Sequence, residues 1–195
     1  MFLQLSLSIN EFKMKKIVLL FAVVLSVSTG YAQKEKINWM SLEDALAAQS
    51  KVPKKIIMDV YTKWCGPCKM LDKNTFQNPD VVKYVNENYY AVKFNAEGRE
   101  KIKYKDLEFT NPQFDPSRVG RNAQHELAQA LKITAYPTIV FFNENGDTLL
   151  PVPGYKTPPQ LELYLKLFYN NDHETISSQE DWDKYQEEFV FQFKG

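Results

Sequence analysis

Cysteine occurs twice in the 195 residues, at positions 65 and 68, inside the run Trp64-Cys65-Gly66-Pro67-Cys68-Lys69. No other stretch restricts the chain so tightly. Thiols separated by two residues can close a small disulfide ring where the backbone turns into a helix. The sequence on either side calls for that turn. Upstream, Ile56-Ile57-Met58-Asp59-Val60-Tyr61 is short, apolar and partly β-branched, the pattern of a buried strand. Downstream, Gly66-Pro67 opens a helical stretch, since proline is tolerated in a first helical turn. The pair therefore lies at a strand-to-helix junction, where reactive thiols are commonly placed. A structural disulfide contributes most when it closes a long loop. This one closes almost none, which favours redox chemistry over stapling.

Disulfide exchange needs a thiolate that attacks and a second thiol that releases the covalent intermediate. At a helix N-terminus the unpaired backbone N–H groups and the helix dipole favour the thiolate of Cys65. Cys68, one turn inside, is expected to be more buried and less ionised. Cys65 is then the attacking residue and Cys68 the resolving one. Gly66 and Pro67 fix the turn, and Trp64 supplies a flat apolar wall beside the sulfur. Asp59 is the one charged residue of its apolar run, and a buried carboxylate is costly to ionise. A solvent-facing position on a half-buried strand is the alternative. Its place six residues before Cys65 points instead to a functional acid. Lys93 is a cation in an otherwise strand-like segment. Metal binding by the two thiols is a weaker reading, because tetrahedral zinc needs about four ligands. Only His125 and His173 could add to the set, neither is near the motif, and both read as surface or capping residues.

The N-terminus has the three parts of a secretory signal peptide. Lys13, Lys15 and Lys16 precede an apolar run over 17–27, and small and polar residues lead to Ala32. Cleavage is expected after Ala32, and Met14 is a candidate for the true start. The apolar run is short for a membrane span of about 18–20 residues. Export places the dithiol in an oxidising compartment, periplasmic or extracellular. With 24 basic and 24 acidic residues and no basic stripe, nucleic acid is not an expected partner.

In the remaining chain, Ser41 caps a helix that Pro53-Lys54-Lys55 ends. A helix over 80–88 follows the break at Asn78-Pro79, and residues 89–95 alternate as a strand. Residues 98–122 are charged, hold Pro112, Pro116 and Gly120, and show no steady period. They read as a long inserted loop with a short helix near 100–107. Residues 123–131 read as a helix. The runs 138–142 and 148–152 read as an antiparallel pair around Asn143-Glu144-Asn145-Gly146-Asp147, with Pro151 requiring an edge. Thr157-Pro158-Pro159-Gln160 starts another helix. Trp182, Tyr185, Phe189 and Phe193 recur at helical spacing in a last amphipathic helix. Alternation followed by a hairpin implies an α/β chain with a central mixed sheet between helices. The division is a signal peptide over 1–32, a domain over 33–171 and a C-terminal helix over 172–195.

Trp64-Cys65-Gly66-Pro67-Cys68-Lys69 is identical to the active-site motif of the thioredoxin family, and the resemblance extends over roughly residues 52–170. It implies the thioredoxin fold, with the 98–122 insertion and the C-terminal helix as additions. Asp59 matches the family's buried acid, which helps to deprotonate the resolving cysteine. Val92-Lys93-Phe94-Asn95 is similar to the strand whose lysine neighbours that acid. Ala135-Tyr136-Pro137-Thr138 resembles the loop whose proline is cis and lies against the dithiol. Gly154 matches the glycine beside the substrate groove. Tyr61 and Tyr136 depart from the residues common in thioredoxin itself. Thr75-Phe76-Gln77-Asn78-Pro79-Asp80-Val81 is similar to the broken second helix of a subgroup. That subgroup includes an envelope thiol–disulfide interchange domain and secreted thioredoxin-like proteins. The resemblance implies a monomeric protein-disulfide oxidoreductase acting on protein disulfides or dithiols. It would use no cofactor beyond the Cys65–Cys68 disulfide and would draw on a membrane or envelope electron donor. Gly-Pro between the cysteines resembles reducing thioredoxins. A disulfide oxidase or isomerase, a metal carrier and a redox-inactive interaction module are the alternatives.

Overall fold

The computed structural model describes residues 35–195, so the signal-peptide reading of 1–32 lies outside the described residues. Five strands form one sheet in the order β1-β3-β2-β6-β7. These are β1 (Trp39–Met40), β2 (Lys55–Tyr61), β3 (Tyr89–Asn95), β6 (Thr138–Phe142) and β7 (Thr148–Pro153). The first three run parallel, while β6 and β7 are antiparallel to their neighbours. Helix α1 (Leu42–Gln49) and α3 (Pro79–Asn88) carry the parallel crossovers, as parallel pairing requires. The two-residue β1 was not expected from sequence; Trp39 and Met40 pair with Ala91 and Val92.

Strand periodicity sorts the core into two faces. Ile57, Ala91, Ile139 and Phe141 pack on one side of the sheet with α3 and α5 (Pro158–Tyr169). Ile56, Met58, Val60, Val92, Phe94 and Phe142 pack on the other with α1 and α4 (Glu126–Ala130). Phe141 and Phe142 are both fully buried although their side chains leave the strand in opposite directions. Burial on each side stabilises by about 1.5–3 kcal/mol per large apolar side chain. β7 lies at the sheet edge, so Pro151 costs no interior ladder bond. Gly146 closes the β6–β7 turn at φ +75°, and a Cβ there would meet Leu46 at 2.8 Å.

Several expectations need correction. Residues 102–109 form a hairpin, β4 (Ile102–Tyr104) and β5 (Leu107–Phe109), rather than a helix near 100–107. Ile102 and Tyr104 point inward and Lys103 outward, so period two wins. The Tyr104 hydroxyl donates to Gly146 O at 2.9 Å, tying the hairpin to the β6–β7 turn. Helix α4 is shorter than 123–131 because His125 caps it. The His125 Nδ1 accepts the Leu127 N–H at 3.1 Å, and Ala123 and Gln124 precede the cap. His125 is thus a capping residue but fully buried rather than at the surface.

The last helix, α6 (Gln179–Glu188), starts at a Ser178 capping box as read but stops before Phe189. Phe193 is placed instead by an extended tail. Glu162, fully buried on α5, accepts from Lys166 Nζ at 2.6 Å, from the Gln192 N–H at 2.8 Å and from the Phe193 N–H at 2.8 Å. Trp182 stacks on Tyr164 at 5.8 Å. Glu162→Ala leaves these donors without their acceptor, which costs about 1–3 kcal/mol. The variant should therefore lose stability and expose the C-terminal tail to early proteolytic cleavage, read by urea titration and mass spectrometry of the fragments.

Candidate active site

Strand β2 ends at Tyr61, and the chain turns through Thr62, Lys63 and Trp64 into α2 (Gly66–Met70). The Cys65 N–H donates to Thr62 O at 3.2 Å. Cys65 is the N-cap residue of α2, and its Sγ accepts the Cys68 N–H at 3.1 Å. The two sulfurs are joined as a disulfide, with Cα atoms 5.3 Å apart. The expected difference in burial is not found, since Cys65 is 2% exposed and Cys68 5%. The asymmetry lies in position: Cys65 receives a backbone N–H at the helix start and Cys68 sits within the turn. Helix α2 then widens into one turn of π-helix, Leu71–Thr75, which brings Asp72 onto the side of Lys93.

Asp59 is 1% exposed, which excludes the solvent-facing alternative. It lies opposite Lys93 in the β2–β3 register, and Lys93 Nζ stands 3.3 Å from Asp59 Oδ2. Its other oxygen, Oδ1, is buried without a hydrogen-bond partner among the described residues. Burial in this apolar setting pushes the Asp59 carboxyl up to about 6, and the Lys93 ammonium only partly offsets it. Lys93 is shared, because Asp72 also pairs with it. The ammonium further lies 5.0 Å from the Trp39 ring centroid and 5.3 Å from that of Tyr61. The result is a buried acid that can change protonation near neutral pH, two residues from the end of the strand that leads into the dithiol.

The loop before β6 completes the site. The Tyr136–Pro137 peptide bond is cis, as the resemblance implied. The Tyr136 ring meets Trp64 edge-on at 6.0 Å, and its hydroxyl accepts from Gln124 Nε2 at 3.0 Å. Pro137 O accepts the N–H of Gly154 at 2.8 Å, and Gly154 has φ +84°, a conformation that favours glycine. Trp64 is held from the other side. Its Nε1 donates to Glu97 Oε2 at 2.9 Å, the same oxygen accepts the Asn122 N–H at 3.0 Å, and the Arg121 guanidinium lies 4.2 Å from the indole centroid. Among the described residues no three His, Cys, Asp or Glu side chains converge as a metal-binding group.

The family of thioredoxin-like domains matches residues 42–169 of this chain. The chain belongs to the thioredoxin-like family. Two curated relatives bear names that describe thiol–disulfide chemistry. The thiol:disulfide interchange protein DsbD of Pectobacterium atrosepticum is 27% identical over 130 residues, covering 66% of this chain and 19% of that protein. Protein disulfide-isomerase of Oryctolagus cuniculus is 27% identical over 139 residues, covering 71% and 22%. The chain thus spans about a fifth of the length of these relatives. Among solved structures, a thioredoxin-fold protein from Helicobacter pylori superposes with a TM-score of 0.54 at 18% identity, covering 82% of this chain and 91% of its own. That likeness concerns the fold.

Within the thioredoxin-like frame, β2 leads from Asp59 into Trp64, Cys65, Gly66, Pro67 and Cys68, Lys93 faces Asp59 across β2 and β3, Tyr136 meets Trp64 at the β6 loop, and Gly154 bonds Pro137. Gly66 has open space where a Cβ would lie, so packing does not require glycine there. Asp72, Glu97, Arg121 and Gln124 were missed. Asp72 stands four residues after Cys68, a spacing that shares a helix face and could have revealed it. The other three reach the site by tertiary closure, which has no local signature.

Proposed function

We propose that this protein is an exported protein-disulfide reductase that works through the Cys65–Cys68 dithiol. The observation that carries the reading is the pairing of a close dithiol at a helix start with a buried acid, Asp59, on the adjoining strand. The names of its relatives, thiol:disulfide interchange protein and protein disulfide-isomerase, support the same chemistry. In the reducing direction the Cys65 thiolate attacks a substrate disulfide. One substrate S–S bond breaks, a mixed disulfide forms, and one substrate thiolate leaves. Asp59, with Lys93 beside it, accepts the proton of Cys68. The Cys68 thiolate then attacks Cys65 Sγ, releasing the second substrate thiolate and leaving the Cys65–Cys68 disulfide. Two electrons pass from protein to substrate in each cycle, and an envelope electron donor must return them. The loop at Tyr136-Pro137 and Gly154 would hold the substrate chain in extended form. Export to the periplasm or beyond rests on the basic, apolar and small-residue order of the N-terminus. The protein acts as a monomer, with no cofactor other than the dithiol.

Reduction of insulin disulfides with dithiothreitol as electron source tests the activity. The protein should accelerate precipitation of the insulin B chain well above the dithiothreitol background. A titration against glutathione tests direction, and a potential near the reducing thioredoxin value of about −270 mV is expected. No acceleration would overturn the enzymatic reading, and a potential above about −180 mV would reassign it as an oxidant or isomerase.

A further inference from the structure

The insertion borders an open cavity of about 710 Å³ against the active-site motif. Pockets that hold drug-sized ligands span about 300–1,000 Å³. Trp64 forms part of its wall, together with Phe114 and Pro116. Cations dominate it. Lys63, Arg99 and Arg118 line it, and Arg121 stands beside it over the Trp64 ring. None of the four is ion-paired among the described residues. Glu97 and Glu100 are the opposing charges in the wall. Glu97 is turned to the Trp64 indole and the Asn122 backbone. The chain has equal numbers of basic and acidic residues, so the excess here is local.

The wall is set by the chain itself. The Asn122 side chain accepts from the Asp115 N–H at 3.0 Å and donates to Asp115 O at 2.7 Å. Asn111 Nδ2 donates to Gly98 O and Ala123 O, and Thr110 is held by Glu126 at the start of α4. These bonds close both ends of the insertion onto the domain. The cavity therefore offers fixed apolar walls and unpaired cations immediately beside the residue that precedes Cys65.

We propose that this cavity receives acidic side chains of a polypeptide substrate, next to the disulfide that the dithiol reduces. The insertion is then a specificity element that selects cysteines flanked by Asp or Glu. This rests on the dithiol being the exchange centre. Charge complementarity carries the identity of the occupant, and the shared Trp64 carries its nearness to the chemistry.

Three disulfide-bonded peptides of one sequence, with two Glu, two Gln or two Lys flanking the cysteine, test it on the full chain. With the reduced protein the Glu peptide should react about tenfold faster than the Lys peptide at low salt. The ratio should approach one near 0.5 M salt, where the screening length is about 4 Å. Arg99→Glu/Arg118→Glu should invert the order, and Arg118→Gln alone should lower the ratio about threefold. The measured quantity is the ratio within each variant, so a general change in rate cancels. A second arm needs no chemistry: calorimetric binding of the same peptides, with Ser in place of Cys, to the disulfide form should follow the same order. Equal rates and affinities for the three peptides, or an order untouched by charge reversal, would overturn the proposal. Retained charge order in binding with no exchange for any peptide would instead overturn the redox reading and leave the cavity assignment standing.

Discussion

Asp59→Asn should make the disulfide form more stable at neutral pH while slowing its catalytic cycle. The Asp59 carboxyl is pushed up to about 6 by burial, from an ordinary value of 3.8. Between these two values the folded protein holds a proton that the unfolded chain has released. Stability therefore falls as pH rises from about 4 to about 6, and it stays reduced above that. The full penalty is about 3 kcal/mol, at 1.36 kcal/mol per unit. Asparagine has no charge to desolvate. Lys93 retains Asp72 as its partner, so the substitution does not strand a cation. Urea titrations of the oxidised proteins should coincide near pH 3.5 and separate by about 1–3 kcal/mol in favour of the variant at pH 8. Parallel stabilities across that range would show that Asp59 ionises at no cost. The functional loss has the opposite sign. A positioned general base contributes about 10²–10⁴-fold, so release of the mixed disulfide should slow by about 10²-fold. The wild-type rate of that step should climb through pH 6, and the variant's should not. On the proposed cycle, the site keeps a group that destabilises the fold because the proton transfer needs it.

The larger loss is expected at Cys65. Cys65→Ser replaces the sulfur that must form the covalent bond, and serine's hydroxyl remains protonated at neutral pH. Exchange with protein disulfides should fall by at least about 10³-fold, since outright loss of a catalytic nucleophile can cost about 10⁶-fold. The fold should persist. The disulfide closes a ring of only a few residues, so its loss returns little entropy to the unfolded chain. Stability should thus change much less than activity, and circular dichroism beside insulin turnover separates the two. Turnover by Cys65→Ser at an appreciable fraction of wild type would assign the attack to Cys68.

The elements that hold the site were legible where one physical signal dominated. Strands β2, β3 and β6 are apolar or alternating runs bounded by turn residues. The 66–67 helix start and the Thr157 capping box depend on residues with narrow backbone preferences. The insertion was opaque for a different reason. Each strand of its hairpin has three residues, two of the six are lysine and glutamate, and only Ile102 and Tyr104 are buried. So short an alternation cannot be told from a helical turn. The end of the chain misled through spacing that two backbones can satisfy. Phe189 and Phe193 fit a continuing helix, yet the chain leaves the helix at Glu188 and Glu162 captures the extended tail instead. At the site, Asp59 was legible as a charge in an apolar run. Glu97 was not, because an acid just past a strand end is ordinary until a distant indole is known to face it.

The most direct test is the covalent intermediate itself. Cys68→Ala keeps the attacking sulfur and removes the one that releases substrate. Incubated with a protein disulfide and digested without reductant, it should yield one mixed disulfide, mapped by mass spectrometry to Cys65. A Cys68→Ala protein that turns over normally, or one that forms no adduct at Cys65, would contradict the proposed cycle.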